Sequence, residues 1–132
     1  MKINELVKEA HENAVKHGWW EEDRNFGEQI ALMHSELSEA LEEFRNGHEV
    51  TETYYSYSHC AYSFKPTVCK GVGVNCNTCG YGKPEGIPIE LADCVIRIFD
   101  TCGKYGIDLE NALKIKMEYN KTRPWKHNGK VI

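Results

Sequence analysis

The sequence predicts an all-α fold, a four-helix bundle interrupted by one irregular, cysteine-rich insert. Apolar residues recur at three- and four-residue steps over four stretches, and capping residues, glycine or proline bound them. Between the second and third stretch, residues 51–86 show no such period. The chain's 132 residues, 41% hydrophobic and 27% charged, fit a single domain with its own core and exclude wholesale disorder or a repeat fibre.

The first helix is predicted over about 3–17, where Ile3, Leu6, Val7, Ala10 and Ala14 form one apolar stripe that ends near Gly18. Asn25 is a good N-cap for a second, which carries Ile30, Met33, Leu37, Leu41 and Phe44 until Asn46-Gly47. The insert then holds five of the seven tyrosines and four of the six cysteines, with no apolar stripe. Pro88 suits the first turn of a third helix, whose Ile89, Ala92, Val95, Ile96, Phe99 and Cys102 give a broad apolar face up to Gly103. Asp108 caps a fourth, with Leu109, Ala112, Leu113 and Met117 facing inward until Pro124.

The first nine residues interleave charges with apolar side chains, so they lack the core of a signal peptide, and no run approaches the roughly 18 apolar residues that span a bilayer. A cytoplasmic protein with no membrane partner is expected, its cysteines reduced or metal-bound. A formal net charge of −4 argues against a nucleic acid polymer as partner, though a small phosphorylated ligand needs only a local basic patch.

Two carboxylate pairs stand out. Glu36 and Glu39 lie in the middle of the second helix, and Glu90 and Asp93 in the first turns of the third. Residues three apart share a helical face, so each pair aims two carboxylates at one place. Converging carboxylates repel unless cations neutralise them, and an all-oxygen set favours Mg²⁺ or Mn²⁺. One such pair alone is more often a solvated acidic face, which accounts for Glu42 and Glu43. Glu90 and Asp93 differ because they interrupt an apolar segment, where idle charges are costly to desolvate.

Charge is also segregated. Residues 21–49 hold nine acids and two arginines, while residues 114–132 hold six lysines and arginines and one glutamate. Lys116, Asn120 and Arg123 fall at i, i+4 and i+7, on one helical face. Metal-binding carboxylates opposite a cationic strip would suit a polyphosphate. The alternative is that the basic residues complement the C-terminal end of the fourth helix.

Three segments together, Gly27 to Gly47 with its S-E-L-S-E-A core, Ile87-Pro88-Ile89-Glu90-Leu91-Ala92-Asp93, and Lys116 to Pro124, resemble a MazG-like protein of the all-α nucleoside triphosphate pyrophosphohydrolase superfamily. The resemblance covers the chain outside residues 51–86. It implies a helical fold, usually oligomeric, that cleaves a nucleoside triphosphate between its α and β phosphates to give a monophosphate and pyrophosphate. It implies that Glu36, Glu39, Glu90 and Asp93 hold Mg²⁺ and that Lys116, Asn120 and Arg123 contact phosphate. One carboxylate left unsaturated by metal, Glu39 for choice, would accept the proton of the attacking water. Short helices with broad apolar faces point independently to a homo-oligomer, a dimer or tetramer. The family usually joins its acidic motifs by a much shorter connection, so substrate preference does not transfer. A non-catalytic nucleotide-sensing or protein-interaction module on the same fold, and a hydrolase of another pyrophosphate metabolite, are the competing readings.

Trp20, in the tandem Trp19-Trp20 before the second helix, is a candidate for stacking a nucleobase, with a core anchor as its alternative. Cys94 and Cys102 read as packed thiols on an apolar helix. In the insert, Cys76-Asn77-Thr78-Cys79-Gly80 has the C-x-x-C-G form of a metal knuckle, and Cys60 and Cys69, with His59 as a substitute for Cys60, complete a candidate tetrahedral Zn²⁺ site. An iron–sulfur cluster and free or disulfide-bonded thiols are the alternatives. Structural zinc predicts about one equivalent per chain in protein purified without chelator; less than roughly a tenth of an equivalent of zinc or iron, with freely titrating thiols, rejects the site.

Overall fold

The structure, a computed structural model, describes residues 2–57, 67–69, 75–76 and 80–125, with 57, 67–69, 75–76 and 80–81 described by backbone alone. Its four helices are α1 (Ile3–Lys16), α2 (Phe26–Arg45), α3 (Ile87–Tyr105) and α4 (Leu109–Lys121). All four fall where the apolar periods place them. No helix among the described residues is long and apolar enough to cross a membrane. The chain divides into two compact units, Met1–Asp23 with Phe99–Ile132, and Arg24–Ile98. Helix α3 contributes its N-terminal part to the second and its C-terminal end to the first.

In the first unit, the start of α1 is tied to the start of α4. The Ile3 N–H donates to Glu110 (3.0 Å), and the Asn4 amide donates to Asp108 (3.0 Å), which also accepts from the Asn111 N–H as helix cap (3.1 Å). These hydrogen bonds, that from Asn4 foremost, hold the Asp108 carboxyl below the ordinary range. Further along, α1 meets the end of α3 at Gly103. A Cβ on Gly103 would lie 2.5 Å from the Cβ of His11, so this position admits no side chain without a shift of backbone. The sequence places the end of the third helix here, yet the helix runs on to Tyr105 and stops before Gly106, whose φ is +66°. Gly103 serves close packing; Gly106 supplies the left-handed stop. Beside this contact, buried Asp100 accepts the Trp20 indole N–H (2.8 Å) and lies 2.8 Å from His11 Nδ1. Buried Cys102 has its thiol pushed up by desolvation, as expected of a packed cysteine.

In the second unit, α2 begins at Asn25, whose side chain accepts from the Glu28 N–H (2.9 Å). The segment after α2 is not irregular throughout. Strands β1 (Tyr54–Tyr57), β2 (Thr67–Cys69) and β5 (Lys83–Glu85) form an antiparallel sheet in the order β2-β1-β5, and β3 (Asn75–Cys76) pairs with β4 (Gly80–Tyr81). Helical periodicity could not reveal strands this short. Aromatic Tyr54, Tyr55 and Tyr57 favour a pleated strand, and Pro84, opposite Tyr55, sits on an edge strand where its missing N–H does no harm. The sheet is fastened to α2 through Tyr54, which is buried and donates its hydroxyl to the Glu43 carboxylate (2.7 Å). The His48 ring stacks on Tyr54 at 4.7 Å and lies within 3.3 Å of Glu43 and 3.1 Å of Glu52. Burial and the neighbouring carboxylates push the Tyr54 phenol well above its ordinary range, so it remains a hydrogen-bond donor.

The sheet hands over to α3 at Gly86. Its φ of +118° is accessible to glycine alone, and a Cβ there would lie 2.3 Å from the Glu52 carbonyl oxygen. Gly86→Ala and Gly103→Ala are therefore both expected to destabilise, Gly103→Ala by about 1–3 kcal/mol from overpacking and Gly86→Ala by more. Gly47, with φ +87° and nothing within 4 Å of its would-be Cβ, is the control, expected to lose only about 1 kcal/mol as alanine. Thermal denaturation checks the ranking; a Gly103→Ala melting point equal to that of the unsubstituted protein would refute the close approach of α1 and α3.

Candidate metal centre

The carboxylates paired by spacing come together in the second unit. Helix α2 supplies Glu36 and Glu39 one turn apart, and α3 supplies Glu90 and Asp93 one turn apart. One oxygen each from Glu36, Glu39 and Glu90 lies within 4.8 Å of the others. Glu36 is buried, Glu90 and Asp93 are half-buried, and Glu39 is exposed. Asp93 stands outside the tight trio but within its field.

Electrostatics follow from this crowding. Two unit charges 4 Å apart at an effective dielectric of 20 repel by about 4 kcal/mol, whereas protonating an ordinary glutamate at pH 7 costs roughly 3.4 kcal/mol. The two nearly balance, so one carboxyl of the cluster is drawn towards protonation near neutral pH. That group is Glu90, whose pKa is pushed up to about 7 by burial, then by a hydrogen bond to Glu39 and the charges of Glu39, Asp93 and Glu36. Burial and the Glu36 charge raise Asp93 as well, with Arg97 and Lys83 opposing. Glu36 behaves differently. Burial alone would raise it, but hydrogen bonds with Arg97 and Glu39 and the positive charges of Arg97 and Lys83 bring it below the ordinary value.

Arg97 is the residue that sequence reasoning missed. Its Nε–H donates to Glu36 Oε1, and the two side chains are 28% and 8% exposed. A signal was present: Arg97 follows Asp93 by four residues and Glu90 by seven, on the same face of α3, as a lone cation among Val95, Ile96, Ile98 and Phe99. Lys83 of β5 was missed too; it contributes charge from a side chain that is 76% exposed and pairs with Glu85 (3.6 Å).

The remaining expected residues lie elsewhere. Lys116, Asn120 and Arg123 belong to the first unit and are exposed; the Lys116 ammonium sits 4.8 Å from the Tyr119 ring centroid. Trp20, in the same unit, is half-buried: besides its bond to Asp100, it meets the His11 ring edge-on at 6.0 Å and carries the Lys104 ammonium 5.1 Å from a ring centroid. These contacts tie Trp20 to α1 and α3 within the first unit. Of the insert cysteines, Cys60 and Cys79 lie outside the described residues, as does His59, while Cys69 and Cys76 are placed by backbone alone, in β2 opposite Tyr55 and in β3 opposite Gly80.

The cluster's charge sets a pH dependence. Glu90 binds its proton more tightly folded than unfolded, where its value is near 4.5, so the folded state holds more protons between about pH 4.5 and 7 and loses stability as pH rises through that window. Asp93 acts with the same sign, and Glu36 acts oppositely at lower pH. In the presence of chelator, the melting temperature is expected to fall from pH 5 to pH 7.5, and Glu90→Gln to flatten that slope. A slope unchanged in Glu90→Gln would refute the assignment.

Comparison with known proteins gives no match: no family model, no curated protein and no solved structure aligns with the chain.

Proposed function

We propose that the chain is a Mg²⁺-dependent nucleoside triphosphate pyrophosphohydrolase on a four-helix MazG-like bundle, giving nucleoside monophosphate and pyrophosphate. The observation that carries this reading is the convergence of three carboxylate oxygens from two helices within 4.8 Å, where burial and mutual repulsion raise the pKa of Glu90. An all-oxygen, partly buried donor set fits Mg²⁺ or Mn²⁺ better than zinc. Glu36, Glu39 and Glu90 would hold the ion, with Asp93 one turn along α3. When bound, such an ion polarises a phosphoryl oxygen and acidifies a water.

The chain's own residues supply the rest. Arg97 favours the charged form of Glu36, and Glu90, whose pKa is raised, must be in its deprotonated form to serve as a ligand. Exposed Glu39 is the member best able to accept the proton of an attacking water, as the phosphorus–oxygen bond to the pyrophosphate leaving group breaks. Lys116 and Asn120 on α4, and Arg123 just beyond its end at Lys121, all exposed, are the proposed phosphate contacts. Leu37, Leu41 and Phe44, at i, i+4 and i+7 on α2 and 47%, 57% and 60% exposed, support a homodimer or tetramer.

The experiment is a panel of nucleoside triphosphates with product analysis. Pyrophosphate release that requires Mg²⁺ or Mn²⁺ is expected, with turnover falling by at least about a hundredfold in Glu39→Gln and Asp93→Asn while helical content is retained. Sedimentation should give a dimer or larger. Orthophosphate as the first product, or full activity in chelator, overturns the reading. Nucleotide binding without turnover would instead select the non-catalytic sensing module.

A further inference from the structure

The most informative group in the second unit is a cation that the proposed chemistry does not call for. Arg97 reaches from α3 to α2 and donates its Nε–H to Glu36 Oε1, on one of the three carboxylates whose oxygens converge. A guanidinium cannot shed its charge in a protein, so no change of pH within the ordinary range releases this contact. A divalent ion on Glu36 would share one carboxylate with a fixed positive charge, and like charges at that separation repel. The guanidinium has somewhere to go: the Arg97 side chain is 28% exposed and long, whereas Glu36, at 8%, is fixed. Lys83 is no rival for the role, being 76% exposed and paired with Glu85.

We propose that Arg97 is a resident counter-ion, a positioning residue whose guanidinium occupies the Glu36 carboxylate until a divalent cation displaces it. The inference rests on the reading of Glu36, Glu39 and Glu90 as metal ligands. Two consequences separate it from a plain structural ion pair. Metal binding and the Arg97–Glu36 contact exclude one another, so removing the guanidinium tightens metal binding rather than weakening it. The Arg97 side chain also changes environment when metal arrives, in the unsubstituted protein and without any substrate.

The test uses the full chain and metal alone. Free Mn²⁺ is counted by electron paramagnetic resonance in titrations of the unsubstituted protein, Arg97→Gln and Arg97→Lys. Arg97→Gln is expected to bind Mn²⁺ about tenfold more tightly, and Arg97→Lys, which keeps the charge and loses the planar fork, to lie between. In parallel, the Arg97 Nε–H resonance of ¹⁵N-labelled protein, assigned by its loss in Arg97→Lys, is followed during Mg²⁺ addition. It should move towards the position of solvent-exposed arginines and exchange faster with water. An Arg97 signal that stays protected at saturating Mg²⁺, or Mn²⁺ binding no tighter in Arg97→Gln, overturns the inference while leaving the metal site intact. Should Arg97→Gln fail to fold, the resonance experiment decides. Absence of Mn²⁺ binding by the unsubstituted protein removes the metal-site reading and this inference together.

Discussion

Four carboxyl groups held close together by two helices set the terms for the rest of the second unit. Their mutual repulsion is of the order of several kcal/mol per close pair, comparable with a large part of the roughly 5–15 kcal/mol by which a domain is stable. It is met in three ways: the readier protonation of Glu90, the Arg97 guanidinium on Glu36 and the charge of Lys83. An arrangement that must be compensated on three sides is poorly explained as a solvated acidic face, where carboxylates separate freely into water.

The two units use buried charge differently. In the first, Asp100 is buried but fully occupied, with His11 and the Trp20 indole at 2.8 Å, and it cements α1 to the end of α3. Asp108 is likewise satisfied by Asn4 and Asn111. In the second unit Glu36 also has a donor, Arg97, but Glu36, Glu39 and Glu90 bring their oxygens within 4.8 Å of one another. That contrast, within one small chain, separates carboxylates satisfied by neutral donors from carboxylates that crowd one another.

Much of this was legible in the residues. Three-and-four spacing located all four helices, and Asn25 and Asp108 marked helix starts through the side-chain bonds that the structure contains. The stripes themselves are not all covered, since Leu37, Leu41 and Phe44 of α2 and Met117 of α4, expected to face inward, are exposed and α4 buries no residue. Spacing likewise put Glu36 with Glu39 and Glu90 with Asp93; meeting across two helices is a tertiary fact that periodicity cannot state. Arg97 escaped for that reason, since its partner is 61 residues away in sequence. The short strands escaped because two to four residues carry too little alternation to register. Gly103 was read as a stop because glycine has two uses in helices, and only the neighbouring His11 shows which applies.

Tyr54 and Glu85 are cross-strand neighbours, and Glu52 lies against Gly86. The chain thus leaves the helical part and returns to it at one point, through the same pair of strands. Such a junction makes the intervening length almost independent of the helices, because the ends are already closed and each doubling of an enclosed loop adds only about 0.6 kcal/mol of closure entropy. Insertions, deletions or wholesale exchange between those strands can accumulate without respacing α2 and α3. The junction is a graft point, between whose strands length can change while α2 and α3 keep their spacing.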